Sequence, residues 1–359
     1  MDLINKIIQG DSIEVMKNMP DNSFEFCFAD PPYFMQIKNG KKLYRVEGTE
    51  FKGCDDDWDK FDSMEEYKSW TKKWLSQVHR LLKPNGSICL ISGMQSIYEI
   101  GSILRELGFW VINDIIWQKS NPTPNFGGTR LNNSHETLIW ASKSKESKFT
   151  FNYKTGKHLN EGKQMGSIWT FPVCSGNERL KDENNNKVHN TQKPEALLYR
   201  ILTLFTNKGD LILDPFGGTM TTAAVAKKIG RNFTMIEKDE TYIKYGKQRI
   251  ELVVPEINEV ENAIYDIKPA KVSFNEMVDN RYFIIGETFF HKNGEKATLI
   301  SNKGILSYQN TNGSMHEIAA KMMNKTRRVN AFDFLYVLRK NNLISINEIR
   351  NEYRKKYKS

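Results

Sequence analysis

The stretch of residues 30–33 combines an acid, two prolines and an aromatic ring: Asp30, Pro31, Pro32 and Tyr33. The segment before it, 24–29 (FEFCFA), alternates phenylalanine with other residues and predicts one buried face of a β-strand. Each proline fixes its own φ, and a residue that precedes a proline is driven towards an extended conformation. We therefore expect a stiff bracket with an acid at one end and a ring at the other, which suits a site that holds a flat molecule.

A second stretch, 209–243, reads as strand, glycine-containing turn, helix and strand. Asp214 ends the first strand, Gly217 and Gly218 allow the backbone to approach a ligand, and Glu237 ends the next strand. Glu237 follows Asp214 by 23 residues, and an acid at about that separation in sequence is suited to hold ribose hydroxyls of a nucleotide-like cofactor. The turn is neither a complete dinucleotide motif nor a P-loop. An ordinary β-turn-α unit would give the same pattern, so this segment alone leaves both interpretations open.

Length and composition indicate one large domain and one smaller one. The chain has 359 residues, of which 39% are hydrophobic, and no apolar run approaches 18 residues. The start lacks a signal-peptide pattern, and the four cysteines show neither metal nor disulfide spacing. We expect a cytoplasmic protein with reduced thiols, no metal and no membrane contact. A change in the sequence pattern after residue 252 predicts a domain boundary near 265, which gives domains 1–264 and 265–359.

Strand patterns alternate with helical ones along the first domain and predict an α/β fold with a mostly parallel sheet covered on both faces. The predicted strands are 24–29, 86–92, 110–117, 137–141, 210–213 and 233–237, and the clearest helices are 63–83 and 193–206. Two long polar stretches, 34–60 and 118–190, are predicted to be irregular and functional. In the second domain Asn293-Gly294 predicts a hairpin, and the last forty residues are predicted to be helical.

The C-terminal segment is strongly basic. Residues 321–359 contain six lysines, five arginines and three acids, with aromatic residues interleaved. A solvated surface would explain such a charge, but the aromatic residues favour attraction to a polyanion.

Three motifs in order carry a resemblance: DPPY (30–33), HNTQKPEALL (189–198) and DPFGGTMTT (214–222). This order resembles the β-class of amino-methyltransferases that use S-adenosylmethionine. The segments NPTPNFGGTRLNNSHETLIW (121–140) and DDDWDKF (55–61) resemble the HinfI-type adenine methyltransferases, which are relatives of the cell-cycle-regulated methyltransferase. The C-terminal part resembles the restriction-adenine-methylase-associated domain of that group.

The resemblance implies a Rossmann-like methyltransferase sheet, a smaller C-terminal α+β DNA-binding domain, and transfer of a methyl group to N6 of a flipped adenine in double-stranded DNA, in the site GANTC. It implies that the base is held by Asp30, Pro31, Pro32 and Tyr33. It implies that the methionine end of S-adenosylmethionine lies against Thr191, Lys193, Asp214, Phe216, Gly218 and Thr221, with Glu237 at the ribose and Asp11 at the cofactor adenine. A homodimer and a separate cognate endonuclease are partners that it leaves open.

Sequence reading is expected from the target-recognition loops in 118–190 and from the C-terminal domain, because arginine and asparagine suit base edges. The candidates are Arg130, Asn132, Asn133 and His135, and Arg327, Arg328, Asn330 and Phe332. Each of these side chains could instead bind phosphate or stabilise a loop.

One departure and three rival functions qualify this interpretation. The family usually has glycine where this chain has Met220, which either weakens cofactor binding or marks the start of a helix. The rivals are an RNA adenine methyltransferase, a cytosine exocyclic-amine methyltransferase, and an inactive DNA-binding relative. The cytosine group more often has serine where Asp30 stands, and only Met220 favours an inactive protein.

Overall fold

The computed structural model describes residues 2–35, 43–44, 50–51, 59–125, 128–260, 262–266 and 269–358. The chain divides into two units, Met1–Ile267 and Lys268–Ser359. Residues 55–58 and 126–127 of the segments that carry the family resemblance lie outside the described residues.

The first unit is built from ten strands and seven helices in the part of the chain that the structure describes. The strands are β1 Lys6–Gln9, β2 Phe24–Ala29, β3 Leu43–Tyr44, β4 Glu50–Phe51, β5 Leu82–Ser92, β6 Trp110–Lys119, β7 His135–Ser142, β8 Ile168–Phe171, β9 Leu211–Asp214 and β10 Asn232–Glu237. The helices are α1 Ser12–Lys17, α2 Met64–Leu81, α3 Ile97–Glu106, α4 Tyr153–Leu159, α5 Glu195–Phe205, α6 Thr221–Lys228 and α7 Glu240–Leu252.

Eight of these strands form one sheet in the order β1-β10-β9-β2-β5-β7-β6-β8. Neighbours from β1 to β5 are parallel, β7 is antiparallel to both of its neighbours, and β6 and β8 are parallel. The predicted α/β fold with a mostly parallel sheet is confirmed. Because β2, β9 and β10 run the same way side by side, their carboxyl ends meet at one edge. Asp30, Asp214 and Glu237 lie at these ends.

Both faces of the sheet are buried under helices. Cys27 and Ala29 of β2 pack in one hydrophobic cluster with residues of α2 and α3, whereas Phe26 and Phe28 pack in a second cluster with residues of α5 and α6. Phe24 belongs to the first cluster because the register of β2 against β5 shifts between residues 24 and 26. The prediction that the three phenylalanines share one face is therefore wrong for Phe24.

The stretch 118–190 is less irregular than its composition predicts. It contains α4 and β8 in addition to β7, and Trp169 of β8 is buried in the second cluster. None of the described helices is long and apolar enough to cross a membrane.

The second unit is an antiparallel sheet with helices. Its elements are α8 Phe274–Asp279, β11 Thr288–His291, β12 Lys296–Ser301, β13 Ile305–Tyr308, β14 Thr311–Ser314, α9 Met315–Met322, β15 Leu335–Arg339, β16 Asn342–Ser345 and α10 Ile346–Tyr357, with strand order β14-β13-β12-β11-β15-β16. The hairpin predicted at Asn293-Gly294 joins β11 to β12. The prediction that the last forty residues are helical is wrong for β15 and β16, because Lys340 and Asn341 adopt positive φ and close a second hairpin.

Candidate active site

A cavity of about 910 Å³ opens where β2, β9 and β10 end. Its lining comes from five separate parts of the chain. All twelve of the predicted catalytic and cofactor residues line it: Asp11, Asp30, Pro31, Pro32, Tyr33, Thr191, Lys193, Asp214, Phe216, Gly218, Thr221 and Glu237. The three motifs that are distant in sequence thus share one space.

Asp30 is held by an ion pair on one side only. Its Oδ2 accepts a hydrogen bond from Lys193 Nζ at 2.7 Å, and its side chain is 19% exposed. Its Oδ1 is buried and has no hydrogen-bond partner among the described residues. Burial raises the pKa of Asp30, and Lys193 offsets part of that rise. The result is a carboxylate with one unsatisfied acceptor at the cavity wall, which is costly unless a ligand donates to it.

The bracket after Asp30 is fixed through its backbone. Asp59 accepts hydrogen bonds from the N–H groups of residues 33–35, at 2.6, 2.8 and 2.8 Å. Tyr67 donates its hydroxyl to the carbonyl of Pro32 at 2.9 Å. Phe34 adopts the left-handed conformation with φ 55°. Asp59, which lies in the DDDWDKF segment, therefore acts as a clamp that turns the chain immediately after the predicted catalytic residues.

Glu136, which sequence analysis did not single out, joins the same cluster. This second residue of β7 accepts a hydrogen bond from the Tyr33 hydroxyl at 2.8 Å and lies 2.7 Å from Lys119 Nζ. Its Oε2 also lies 3.9 Å from Lys193 Nζ. Burial alone would raise the pKa of Glu136, but Lys193, Lys119 and the Tyr33 hydrogen bond together lower it. An acid at the start of the apolar run TLIWA was the available signal, because such an acid needs a cation.

The turn after β9 is held by its own carboxylates. Asp214 accepts from the Phe216 N–H at 3.0 Å and from Thr222 Oγ1 at 2.6 Å. Gly218, at φ 50°, donates its N–H to Glu237 Oε2 at 2.7 Å. Burial raises the pKa of Asp214 to about 7 and also raises the pKa of Glu237. These two acids therefore shape the turn that they were predicted to share with a cofactor.

The remaining predicted cofactor residues also have partners within the protein. Asp11 caps α1 by accepting from the N–H groups of residues 13 and 14. Thr221 Oγ1 accepts from Arg249 at 2.9 Å, and the Thr191 N–H donates to His189 Nδ1 at 3.0 Å. Sequence analysis did not assign a role to His189, whose ring centroid lies 4.6 Å from that of Tyr242 at the cavity wall.

Met220 stands where the resemblance implies glycine, and its backbone conformation accounts for that expectation. It is the N-cap of α6 and has φ 59° and ψ 34°, a left-handed conformation that favours glycine. Its side chain is fully buried and lies over Gly246 of α7, where an added Cβ would stand 2.3 Å from Met220 Cγ. Met220 does not line the cavity. The helix therefore starts here, and the methionine fills a space that Gly246 leaves.

The predicted DNA-binding residues fall into two groups. Arg130, Asn132, Asn133 and His135 are exposed in the segment that leads into β7, and Arg327, Arg328 and Asn330 are exposed in the second unit. The prediction that Phe332 contacts DNA is wrong. Its side chain is 7% exposed and packs in the core of the second unit. The Arg350 guanidinium lies 3.8 Å from the centre of its ring. This ring is covered and is not available to a base.

The chain is similar to known DNA methyltransferases over most of its length. Residues 24–248 match the family model described as DNA methylase. The chain is 46% identical to the type II methyltransferase M.HinfI of Haemophilus influenzae over 98% of this chain and 97% of that protein. It is 39% identical to the type II methyltransferase M2.DpnII of Streptococcus pneumoniae over 68% of this chain and 89% of that protein.

A solved structure agrees with these matches. The crystal structure of the M1.HpyAVI–SAM complex has a TM-score of 0.50 and 27% identity, covering 69% of this chain and 99% of its own. No grouping of histidine, cysteine and acidic residues suited to a metal ion is found in the part of the chain described. The matched segment contains both the Asp30 bracket and the Gly218 turn, and the chain belongs to the DNA methylase family.

Proposed function

We propose that the protein is a site-specific DNA adenine-N6 methyltransferase that uses S-adenosylmethionine and acts on GANTC. The observation that carries this proposal is the carboxylate of Asp30, a residue that lines the shared cavity and whose buried Oδ1 has no hydrogen-bond partner among the described residues. An aspartate at this position, rather than serine, favours adenine over cytosine. The 46% identity to M.HinfI over nearly the whole chain supports the same substrate class.

The residues present fit S-adenosylmethionine. The cavity is large enough for a nucleoside with an amino-acid tail, and Gly218 brings the backbone to its wall without a Cβ. Glu237 would hold the ribose, Asp11 the adenine, and Thr191, Lys193, Phe216 and Thr221 the methionine end. When bound, the cofactor supplies a methyl group on a sulfonium, which is the electrophile of the reaction.

Asp30 directs the nucleophile. The lone pair of the adenine amine is delocalised into the ring, so the amine is a weak nucleophile. When Asp30 Oδ1 accepts one amine hydrogen, it favours a pyramidal nitrogen whose lone pair points away from the ring. The Pro31 carbonyl would accept the second hydrogen, and Tyr33 would stack on the extruded base. Catalysis then relies on positioning and on acceptors that are already in place.

DNA recognition is assigned to both units. The exposed residues Arg130, Asn132 and Asn133 of the loop before β7, and His135 at the start of β7, would contact base edges or phosphate. The second unit supplies Arg327 and Arg328 in a strongly basic segment. Since the match to M.HinfI covers 352 residues, it includes most of this unit, whereas the DNA methylase model ends at 248. A second copy of the chain and a separate endonuclease belong to the same proposal as candidate partners.

Methyl transfer from radiolabelled S-adenosylmethionine to matched oligonucleotides tests the proposal. We expect labelling of GANTC duplexes at adenine N6, and no labelling by Asp30→Ala, which should retain binding of the cofactor and of DNA because its role is in the transition state. Labelling of RNA or of cytosine would favour one of the two rival methyltransferases. Binding without labelling would favour an inactive relative, and full turnover by Asp30→Ala would refute the mechanism.

A further inference from the structure

Glu136 uses its two carboxylate oxygens for different partners. Oε1 faces Lys119 at the end of β6, and Oε2 accepts the hydrogen bond from Tyr33. Because β6 and β7 pair as neighbouring strands, the ion pair with Lys119 ties Glu136 to the rigid part of the sheet. The carboxylate then extends from that support to the phenol of Tyr33. The side chain is 14% exposed, so both interactions are made largely out of water.

Charge balance alone does not require the hydrogen bond between the Tyr33 hydroxyl and Glu136. Lys119 lies 2.7 Å from Glu136, and Lys193 lies 2.7 Å from Asp30, so each buried acid already has its own cation. The bond to the Tyr33 hydroxyl is additional, and it fixes the one end of that residue that the backbone clamp does not reach. Lys193 Nζ also lies 5.0 Å from the centre of the Tyr33 ring. The ring is therefore held between Glu136 and Lys193.

The position of Lys193 matters for Asp30. Lys193 Nζ lies 2.7 Å from Asp30 Oδ2 and 3.9 Å from Glu136 Oε2, so it stands between the two carboxylates. The ammonium therefore interacts with both acids, and its shorter contact is with Oδ2 of Asp30. Asp30 Oδ2 remains in the ion pair while Oδ1 has no partner among the described residues.

We propose that Glu136 is a positioning residue of the active site, which holds the Tyr33 ring and Lys193 where they leave the buried Asp30 Oδ1 unpaired and so able to accept a hydrogen bond from the target amine. This role rests on the proposed adenine methylation. In that reaction Glu136 would touch neither the base nor the cofactor, and it would act through Tyr33 and Lys193. Glu136 lies in the segment 121–140, outside the DPPY and TQKP motifs, and the fold brings it to Tyr33 and Lys193.

Steady-state kinetics of four variants of the full chain on a GANTC duplex test the role. Glu136→Gln keeps the size of the side chain and removes its charge. Tyr33→Phe removes only the hydroxyl and leaves every charge in place. The double variant measures their coupling, and Glu146→Gln, an exposed glutamate beyond β7, is the matched control. We expect kcat to fall by roughly ten- to a hundredfold in each single variant, with little change in KM for the cofactor. The double variant should lose little more than the worse single variant.

The pH profile of kcat separates positioning from simple structural support. Lys193, Tyr33, Glu136 and Asp214 are the titratable groups that face Asp30. Glu136 is a like charge that raises the pKa of Asp30, so its loss lowers that pKa. The acid limb of kcat should therefore move to lower pH in Glu136→Gln even though kcat is smaller, and should not move in Glu146→Gln.

Three results would overturn the role while leaving the proposed function intact, provided that the unmodified protein methylates the duplex. They are a kcat for Glu136→Gln within twofold of the parent, an acid limb that does not move, or losses that multiply in the double variant. Should Glu136→Gln fail to fold, Tyr33→Phe decides, because a parent-like kcat there excludes a role through the phenol. An unmodified protein that does not methylate the duplex overturns the proposed function and this role with it.

Discussion

Replacing Met220 with glycine should destabilise the first unit without weakening cofactor binding. Two opposing effects set the size of the change. Glycine removes the strain of a left-handed methionine, worth about 1–2 kcal/mol. It also removes a fully buried side chain, and large-to-small changes of that kind cost about 2–5 kcal/mol. The net loss in the free energy of unfolding should be about 2 kcal/mol, within limits of about 0 and 4 kcal/mol.

Gly246 provides the matched test of this reasoning. A Cβ at 246 would lie 2.3 Å from Met220 Cγ and 3.0 Å from its Cβ, so Gly246→Ala alone should be strongly destabilising. Once Met220 is glycine that obstruction is gone, and the added methyl fills part of the space. The double variant Met220→Gly/Gly246→Ala should therefore be more stable than Gly246→Ala alone, which is a favourable coupling between neighbours.

Urea unfolding followed by tryptophan fluorescence measures these effects. All seven tryptophans lie between residues 58 and 169, so the signal reports the first unit alone. Calorimetric titration with S-adenosylmethionine supplies the second readout, and its affinity should stay within about twofold because Met220 does not line the cavity. A Met220→Gly variant that is more stable than the parent, or that binds the cofactor much more tightly, would refute the packing argument.

Three other predictions use the acids and the basic segment. Burial raises the pKa of Asp30 above the usual 3.8, and the carboxylate is the active form. The methylation rate should therefore fall at acidic pH with an apparent pKa above 3.8. An apparent pKa at or below 3.8 in the pH profile of kcat contradicts this. Asp214, with a folded pKa of about 7 against 3.8, takes up a proton on folding, so its presence lowers stability as pH rises from about 4 to 7. Urea unfolding should then show that the advantage of Asp214→Asn grows by roughly 2–3 kcal/mol between pH 5 and pH 8, and a constant difference would rule out the titration. If Arg327 and Arg328 contact phosphates, anisotropy titrations of the Arg→Gln variants should give a plot of log affinity against log salt that is shallower by about 0.9 per lost contact, whereas an unchanged slope would exclude both contacts.

Local patterns were sufficient where an element and its function lie in one continuous segment. Strand β2 was predicted with the observed bounds 24–29, and the strands that end in Asp214 and Glu237 were found within one or two residues. The reason is physical: a buried strand of a parallel sheet has an apolar run that ends at the functional edge. The structure brings Asp30, Asp214 and Glu237 together because the strands that precede them are neighbours in the sheet.

The positions that were missed depend on contacts between distant segments. Glu136 meets Tyr33 across 103 residues of sequence, and no local pattern marks that pairing. Phe332 was predicted to face DNA because it stands among basic residues, but its neighbours Ala331 and Leu335 are fully buried and the ring follows them into the core. In both cases tertiary packing decided which face of the segment became available.

The acid-rich edge explains why this cavity suits a cationic cofactor. Asp30, Asp214 and Glu237 all have raised pKa values, with burial as the largest cause in each. Asp30 is relieved by Lys193, while Asp214 and Glu237 are stabilised by hydrogen bonds from their own turns rather than by a cation. A positive charge among these acids is therefore favourable, and a sulfonium supplies one.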